Sequence, residues 1–221
     1  MKSVVILGKG TSVKTCTESF VSSHDTICAI NDVVFTEEYK PYIGFEADTQ
    51  FCNSSVDYYS KEVYNKLGLR QLIFHGKKDQ KFKTVPDYYQ VDTVYVKPNL
   101  HTLFTTEYGF DPSGGVQAFY YFTVIEKYDI ISLVGFDFYQ VGSTPYYYKL
   151  EEGSRQLRNE IIKQDYKGYK INIPSGHDSD RSIKFCHTLM GDYPDTTFNI
   201  ISNNDQFTSL QRNNVKYINN D

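Results

Sequence analysis

The chain has 221 residues, with 23 Lys and Arg against 27 Asp and Glu, which gives a formal net charge of −4. Hydrophobic residues make up 40% and charged residues 23%, proportions typical of a globular protein with a buried core. The acidic balance disfavours a nucleic-acid binder, because binding phosphates requires a basic surface. There is no run of 18 apolar residues, so we expect no transmembrane helix.

The N-terminus and the cysteines indicate the compartment. The first apolar run leads directly into a glycine turn, which indicates a strand rather than a signal peptide. Cys16, Cys28, Cys52 and Cys186 form no Cys-x-x-Cys pair, so we expect neither a zinc nor a redox motif and predict reduced thiols. These features predict a cytoplasmic protein, with a peripheral position at a membrane surface as the alternative.

Apolar strands and helical patterns alternate along the chain. Strands are predicted at residues 4–7, 26–30, 42–47, 72–74, 93–96, 130–134 and 197–201. Helices are predicted over residues 56–67, after the turn at 111–115, near 151–164 and over 182–190. This alternation predicts an α/β fold with a Rossmann-like, mostly parallel sheet flanked by helices, in a single domain spanning residues 1–221.

One polar segment is predicted to form a lid. Residues 141–175 are Tyr-rich and irregular and follow the end of a strand, an arrangement typical of lids. Tyr139 and the three tyrosines at 146–148 form an aromatic cluster there. Their phenols fit either a packed anchor for the lid or hydrogen-bond donors to a leaving phosphate, and both roles are compatible.

Polar and glycine residues are expected to meet at the carboxyl edge of the sheet. These are the glycine turn at 8–12, Asn31, Asp48, Ser113 and the segment 135–140. Ligands of such sheets bind at this edge, where the strand order reverses. The turn lacks the third glycine of a dinucleotide motif, so on its own it also fits a tight strand-to-helix turn. Ser113 fits equally a phosphate-binding helix start and an ordinary N-cap.

Of the five histidines, His177 has the surroundings best suited to chemistry. It follows a Pro-Ser-Gly loop and precedes Asp178 and Asp180, where a neutral imidazole can act as a general base near pH 7 or simply occupy a surface loop. The Asp-Ser-Asp run matches a weak metal-binding pattern of sugar transferases, but we interpret Asp178 or Asp180 as a helix N-cap and expect no metal. The other four histidines lack polar companions in the sequence, and His187 is expected to be structural.

In order and spacing, these segments resemble the bacterial sialyltransferases of glycosyltransferase family 42. Residues 4–14 are similar to the family's strand and GNGPSLK start, 28–31 to its CN strand end, and 113–116 to its SGV helix start. Residues 135–140 nearly match its GIDFYQ segment, Gly142 and Ser143 follow as in the family, and Gly176 and His177 resemble its GH pair. The agreement extends over residues 1 to about 202, with a small insertion in the central helix.

The resemblance implies a GT-A-like variant of the Rossmann fold with a lid. It also implies inverting, metal-independent transfer of sialic acid from CMP-sialic acid to a galactose-type acceptor glycan, with no cofactor besides the donor and with a homo-oligomeric state. By position, His177 would be the general base, and Tyr139 with Tyr146 would hold the donor phosphate. The residues expected to line the donor site are Gly8, Lys9, Gly10, Asn31, Asp48, Ser113, Gly114, Gly135, Phe138 and Ser143.

Two departures from the family pattern leave other functions open. Lys9 replaces the family's Asn, and Phe110-Asp111-Pro112 stands where an arginine is expected before the Ser-Gly pair. The alternatives are a transferase for another CMP-activated acidic sugar, such as Kdo, and a catalytically silent nucleotide-binding protein on the same fold. A nicotinamide-dependent Rossmann enzyme is the least supported alternative.

Overall fold

A computed structural model of the chain describes residues 1–31, 47–52, 68–75, 91–138 and 178–218. Eight strands lie in one sheet across these ranges. They are β1 (Ser3–Leu7), β2 (Thr26–Ile30), β3 (Thr49–Cys52), β4 (Gln71–Phe74), β5 (Asp92–Tyr95), β6 (Ile130–Val134), β7 (Thr197–Ile201) and β8 (Val215–Tyr217). Most of their residues are buried, as expected of a sheet covered on both faces.

The described helices vary in length and in winding. A 3₁₀ turn covers Thr11–Thr15, and the α-helices are α1 (Glu18–Ser22), α2 (Leu100–Leu103), α3 (Gly114–Tyr120), α4 (Ser179–Asp192) and α5 (Asp205–Thr208). α2 and α3 each continue into a wider π-helical turn, at Phe104–Tyr108 and Tyr121–Ile125. Four α-helices begin with a side chain that accepts a hydrogen bond from a backbone N–H of the first turn: Thr17, Asn99, Asp178 and Asn204.

All seven strand pairs are parallel, in the order β5-β4-β3-β2-β1-β6-β7-β8. The chain runs outward from β1 to β5 and then returns to place β6 on the other side of β1. The strand order therefore reverses between β1 and β6, and this is the point where ligands of open α/β sheets bind. The predicted Rossmann-like sheet flanked by helices is confirmed.

The core lies on both faces of the sheet, as the alternation along β1 shows. Val4 and Ile6 pack into the cluster that contains the apolar residues of α3 and α4. Val5 and Leu7 pack on the opposite face, against Val13. Because the period of side chains along a strand is two, β1 contributes to both clusters and is covered from both sides.

Several predicted elements are confirmed, and α1, α2, α5 and β8 were not predicted. β2, β6 and β7 have the predicted bounds, and β1, β4 and β5 begin one residue earlier than predicted. A strand was predicted at 42–47, but Ala47 lies outside any strand and the third strand is Thr49–Cys52; residues 42–46 lie outside the described ranges. The tail contains α5 and β8, although it was expected to fray. The predicted helices at 56–67 and 151–164 and the predicted lid at 141–175 also lie outside the described residues.

The cysteines and the helices bear on two further predictions. All four cysteines are buried and none forms a disulfide. Within the described ranges, no helix combines the length and the apolar composition needed to cross a bilayer.

Candidate functional site

The glycine turn after β1 packs directly on the end of β6. The Gly8 N–H donates to the Val134 carbonyl at 2.7 Å, and the Gly10 N–H donates to the Gly135 carbonyl at 2.9 Å. A Cβ on Gly8 would lie 2.6 Å from the Gly135 oxygen, a distance that leaves no room for a side chain. Gly135 itself has a φ of +75°, which favours glycine. The amides of Gly8 and Gly10, two residues expected to line the donor site, are thus engaged by the end of β6, and the half-buried Lys9 lies between them.

A buried carboxylate holds this turn to β6 and β7. Asp137 is 5% exposed and accepts hydrogen bonds from the Ser12 N–H at 2.9 Å, the Ser12 hydroxyl at 2.5 Å and the Asn203 N–H at 3.0 Å. Three chain segments therefore meet at one charge that is fully satisfied by donors. Sequence patterns identify Asp137 only as part of the segment 135–140; the signal for its own role is an acidic residue placed shortly after an uncharged strand.

Asn31 follows β2 and lies against the start of α3. Its φ is 50°, it is 8% exposed, and its carbonyl accepts a hydrogen bond from Gln50 Nε2 at 2.6 Å. A Cβ added to Gly114 would meet Asn31 Nδ2 at 3.2 Å and Ile30 Cγ2 at 3.3 Å. The structure therefore brings the Asn31 carboxamide and the first turn of α3 together, as the sequence predicts.

The first turn of α3 is crowded from two sides and has no side-chain cap. A Cβ on Gly115 would lie 3.0 Å from the Phe136 ring, and a Cβ on Gly114 would lie 3.2 Å from Asn31 Nδ2. Ser113 occupies the N-cap position, but its hydroxyl makes no capping hydrogen bond. The ordinary N-cap interpretation is therefore wrong, and the helix start retains its partial positive charge beside Asn31.

The segment after β6 is tied to the start of α4. The Ser179 hydroxyl donates to the Phe138 carbonyl at 3.1 Å, and the Phe138 ring centroid lies 4.8 Å from that of Phe207. Asp178 caps α4 by accepting from the Arg181 N–H at 2.9 Å, which confirms its predicted N-cap role. Among the described residues, no group of three His, Cys, Asp or Glu side chains is arranged to hold a metal.

Four predicted site residues lie outside the described ranges. They are His177, Tyr139, Tyr146 and Ser143. Tyr139 directly follows Phe138 in the sequence, and His177 stands two residues before Ser179. The Phe138–Ser179 hydrogen bond therefore joins the two described segments that border the predicted acid–base and phosphate-binding residues.

The prediction that Asp48 reaches the carboxyl edge is wrong. Asp48 precedes β3, and Thr49 lies opposite Cys28 of the parallel strand β2. Its carboxylate accepts from the Ile27 N–H at 3.2 Å and from the Thr49 hydroxyl at 2.8 Å, both near the amino edge. The error follows from placing the third strand before Asp48 rather than after it. The strand ends at Cys52, and the next residue in the sequence is Asn53, which lies outside the described ranges.

The structure gives polar partners to histidines that appear isolated in the sequence. His101 Nδ1 lies 2.7 Å from Asp111 Oδ1, and both side chains are about one-third exposed, at 28% and 34%. His24 Nε2 contacts the Ser132 hydroxyl at 2.7 Å. His187 Nε2 contacts the Phe207 carbonyl at 2.9 Å, which confirms the structural role expected for it. Asp111 lies two residues before Ser113 in the sequence. The His101–Asp111 pair was missed because its two members come from different parts of the fold.

Known structures share this fold. The sialyltransferase CstII from Campylobacter jejuni in complex with the substrate analogue CMP-3FNeuAc matches with a TM-score of 0.64 and 20% identity, covering 91% of this chain and 82% of that one. CST-II in complex with a trisaccharide acceptor and CMP matches with a TM-score of 0.60 and 17% identity, over 90% and 81% of the two chains. A mammalian sialyltransferase in complex with Gal-beta-1-3GalNAc-ortho-nitrophenol matches with a TM-score of 0.53 and 13% identity, over 89% and 68%.

Known proteins match this chain by structure but not by sequence. No protein-family model matches the chain, and no curated protein matches it significantly. At identities of 13–20%, the structural likeness shows a shared fold, and it confirms the fold expected from the family 42 resemblance.

Proposed function

We propose that the protein is an inverting, metal-independent sialyltransferase that moves sialic acid from CMP-sialic acid to a hydroxyl of a galactose-type acceptor glycan. The observation that carries the proposal is the fold likeness, over 91% of the chain, to a sialyltransferase whose structure holds CMP-3FNeuAc. The Asn31 carboxamide and the Ser113 hydroxyl at the carboxyl edge are groups that can form hydrogen bonds with a nucleotide monophosphate.

The donor nucleotide binds at the carboxyl ends of β1 and β6, where the strand order reverses. Asn31 places its carboxamide, a group that can donate and accept hydrogen bonds, beside the uncapped first turn of α3. The amides and partial positive charge of that turn favour a phosphate, and the Ser113 hydroxyl adds a donor. The glycine turn contributes close packing rather than free amides, because Gly8 and Gly10 already donate to the end of β6.

The transfer is a single displacement. The acceptor hydroxyl oxygen attacks the anomeric carbon, the bond from that carbon to the phosphate oxygen breaks, and the electron pair leaves with CMP. His177 takes the acceptor proton, and the Tyr139 and Tyr146 phenols donate hydrogen bonds to the phosphate. Attack from the face opposite CMP inverts the anomeric configuration.

The Ser179–Phe138 hydrogen bond supports this assignment of roles. At 3.1 Å it fixes the start of α4 to the segment after β6. In the sequence, Tyr139 follows Phe138 and His177 stands two residues before Ser179, so the proposed phosphate ligand and the proposed base border the two residues that this bond joins.

The test is CMP release from CMP-sialic acid in EDTA, with and without lactose. We expect release that lactose stimulates and that falls by at least about 100-fold in His177→Gln. His187→Gln is the matched control, because it makes the same chemical change on α4 at a residue bonded to the Phe207 carbonyl. Full activity of His177→Gln would refute the role of His177 as the general base. The absence of CMP release with every acceptor would refute the proposed transferase activity.

A second candidate is a nucleotide-binding protein without transferase activity. Asp111 stands near the position where the family 42 pattern has an arginine, and it is engaged by His101 at 2.7 Å. CMP would then raise the melting temperature while neither CMP-sialic acid nor CMP-Kdo is consumed. Consumption of CMP-Kdo alone would identify a transferase for a different acidic sugar.

A further inference from the structure

A buried glutamine of β3 lies directly beneath Asn31. Gln50 is completely buried, and its Nε2 donates to the Asn31 carbonyl at 2.6 Å. A carboxamide in the middle of a buried strand is costly unless its polar atoms are paired, so its retention there indicates a specific partner. One such partner is the backbone carbonyl of Asn31, at the candidate donor site.

The backbone of Asn31 needs such a partner. Its φ of 50° lies in the left-handed region, which Asn adopts more readily than most residues other than glycine but which still costs energy relative to a negative φ. A residue in this region persists only when its surroundings hold it there. The parallel register pairs Ala29 with Gln50, so β3 delivers the amide to the turn that immediately follows β2.

The direction of the Asn31 side chain depends on this backbone conformation. In its observed position, Asn31 Nδ2 is 3.2 Å from the place where a Gly114 Cβ would be. A relaxation of φ toward negative values would turn the Cα–Cβ bond away from the first turn of α3. The amide of Gln50 thus fixes the gap between the Asn31 carboxamide and the helix start.

We propose that Gln50 is a positioning residue for the donor nucleotide, acting through the Asn31 backbone. This inference rests on the proposed function in that the nucleotide is CMP. Gln50 does not touch the nucleotide, and its effect is on the geometry of Asn31 rather than on chemistry.

The experiment is a double-mutant cycle on CMP binding by calorimetry. Gln50→Met keeps the side-chain length and removes the donor, and we expect the Kd for CMP to rise about tenfold, with the donor KM rising and kcat retained. In Asn31→Gly, glycine adopts φ 50° without support, so adding Gln50→Met is expected to change the Kd less than about twofold. Equal effects of Gln50→Met in both backgrounds would overturn the proposal.

Two further measurements separate the possible failures. Asn199→Leu is the matched control, because Asn199 lies at the centre of β7 and its Nδ2 donates to the Ser132 hydroxyl within the sheet at 3.1 Å. It is expected to leave CMP binding unchanged. Amide NMR of Asn31 reports positioning without any ligand: Gln50→Met is expected to shift its side-chain resonances. If the resonances shift but the protein binds no CMP, the proposed function is refuted, whereas the positioning of Asn31 by Gln50 is not. If the resonances do not shift, the positioning of Asn31 by Gln50 is refuted.

Discussion

His75 predicts a specific dependence of stability on pH. It follows β4, is 2% exposed, and its ring stacks on Phe51 with centroids 4.3 Å apart. Burial lowers the pKa of His75 to about 3, and the Gln117 side chain opposes this shift only in part. The folded protein therefore keeps this imidazole neutral at pH 5, whereas an unfolded histidine has a pKa of about 6.5.

The sign and size follow from proton binding. Between pH 6.5 and pH 3 the unfolded state takes up a proton at His75 that the folded state does not, so the free energy of unfolding falls as the pH falls. Each pH unit in this window is worth about 1.4 kcal/mol, and the loss between pH 7 and pH 5 is about 2 kcal/mol. Burial also lowers the pKa of His24, and that contribution is the same in a variant that retains His24.

The measurement is urea unfolding of the wild type and of His75→Gln at pH 7 and pH 5. The variant cannot gain a proton, so we expect the wild type to lose about 2 kcal/mol more than the variant between the two pH values. Phe51→Leu is the control, because it removes the ring that stacks on His75 but keeps the titrating group. Equal losses in the wild type and His75→Gln would show that His75 does not resist protonation, and the reasoning from burial would fail.

Three further predictions test the frame of the site and the core. Asp137→Asn removes a buried charge that accepts two backbone N–H groups, and urea unfolding is expected to show a loss of about 3 kcal/mol. Gly8→Ala brings a Cβ within 2.6 Å of the Gly135 carbonyl and should cost about 2 kcal/mol or more, whereas Gly109→Ala meets no atom within 4 Å and should cost only about 1 kcal/mol of backbone strain. Burial raises the pKa of the Cys16 thiol to about 11 and those of Cys28 and Cys186 further, so the native thiols should react slowly with an aromatic disulfide at pH 8 and rapidly in urea.

The strands whose bounds were predicted correctly are those whose buried residues are mostly apolar. β6 reads Ile-Ile-Ser-Leu-Val, and the bounds of the apolar run are the bounds of the strand. β3 reads Thr-Gln-Phe-Cys, and all four residues are buried although two are polar. The polar side chains of β3 form hydrogen bonds such as the one from Gln50 to Asn31, which lies 19 residues earlier in the sequence. Hydropathy along the chain does not reveal contacts between distant residues.

The Asn-rich tail shows the same limit in another form. Its composition favours fraying, but Asn204 caps α5 and Asn214 Nδ2 donates to the carbonyls of Met190, Tyr193 and Thr196. These side chains order the tail by satisfying backbone groups rather than by adding apolar area. The partners lie on another part of the chain, so the order of the tail depends on the tertiary fold.

The prediction of which residues lie together at the carboxyl edge is right where the strand ends were located correctly. Asn31 follows a correctly bounded β2 and meets the first turn of α3. Asp48 was misplaced because the adjacent strand was misplaced, and an error in one strand transfers its flanking residue to the opposite edge of the sheet. The His101–Asp111 pair depends on the path between α2 and α3, for which the spacing of ten residues gives no signal.

If the proposed function is right, the engagement of the glycine turn determines where the phosphate charge of the donor is stabilised. In a turn whose amides face outward, the turn itself would supply donors to the phosphate. Here the Gly8 and Gly10 amides face the carbonyls of Val134 and Gly135, and Asp137 places a fixed negative charge on the same turn. Because that carboxylate lies at the turn and not at α3, the proposed function assigns the dianionic leaving group to the positive start of α3. Among the described residues, the donors that the proposal gives to the phosphate are then the amides of this helix start and the Ser113 hydroxyl.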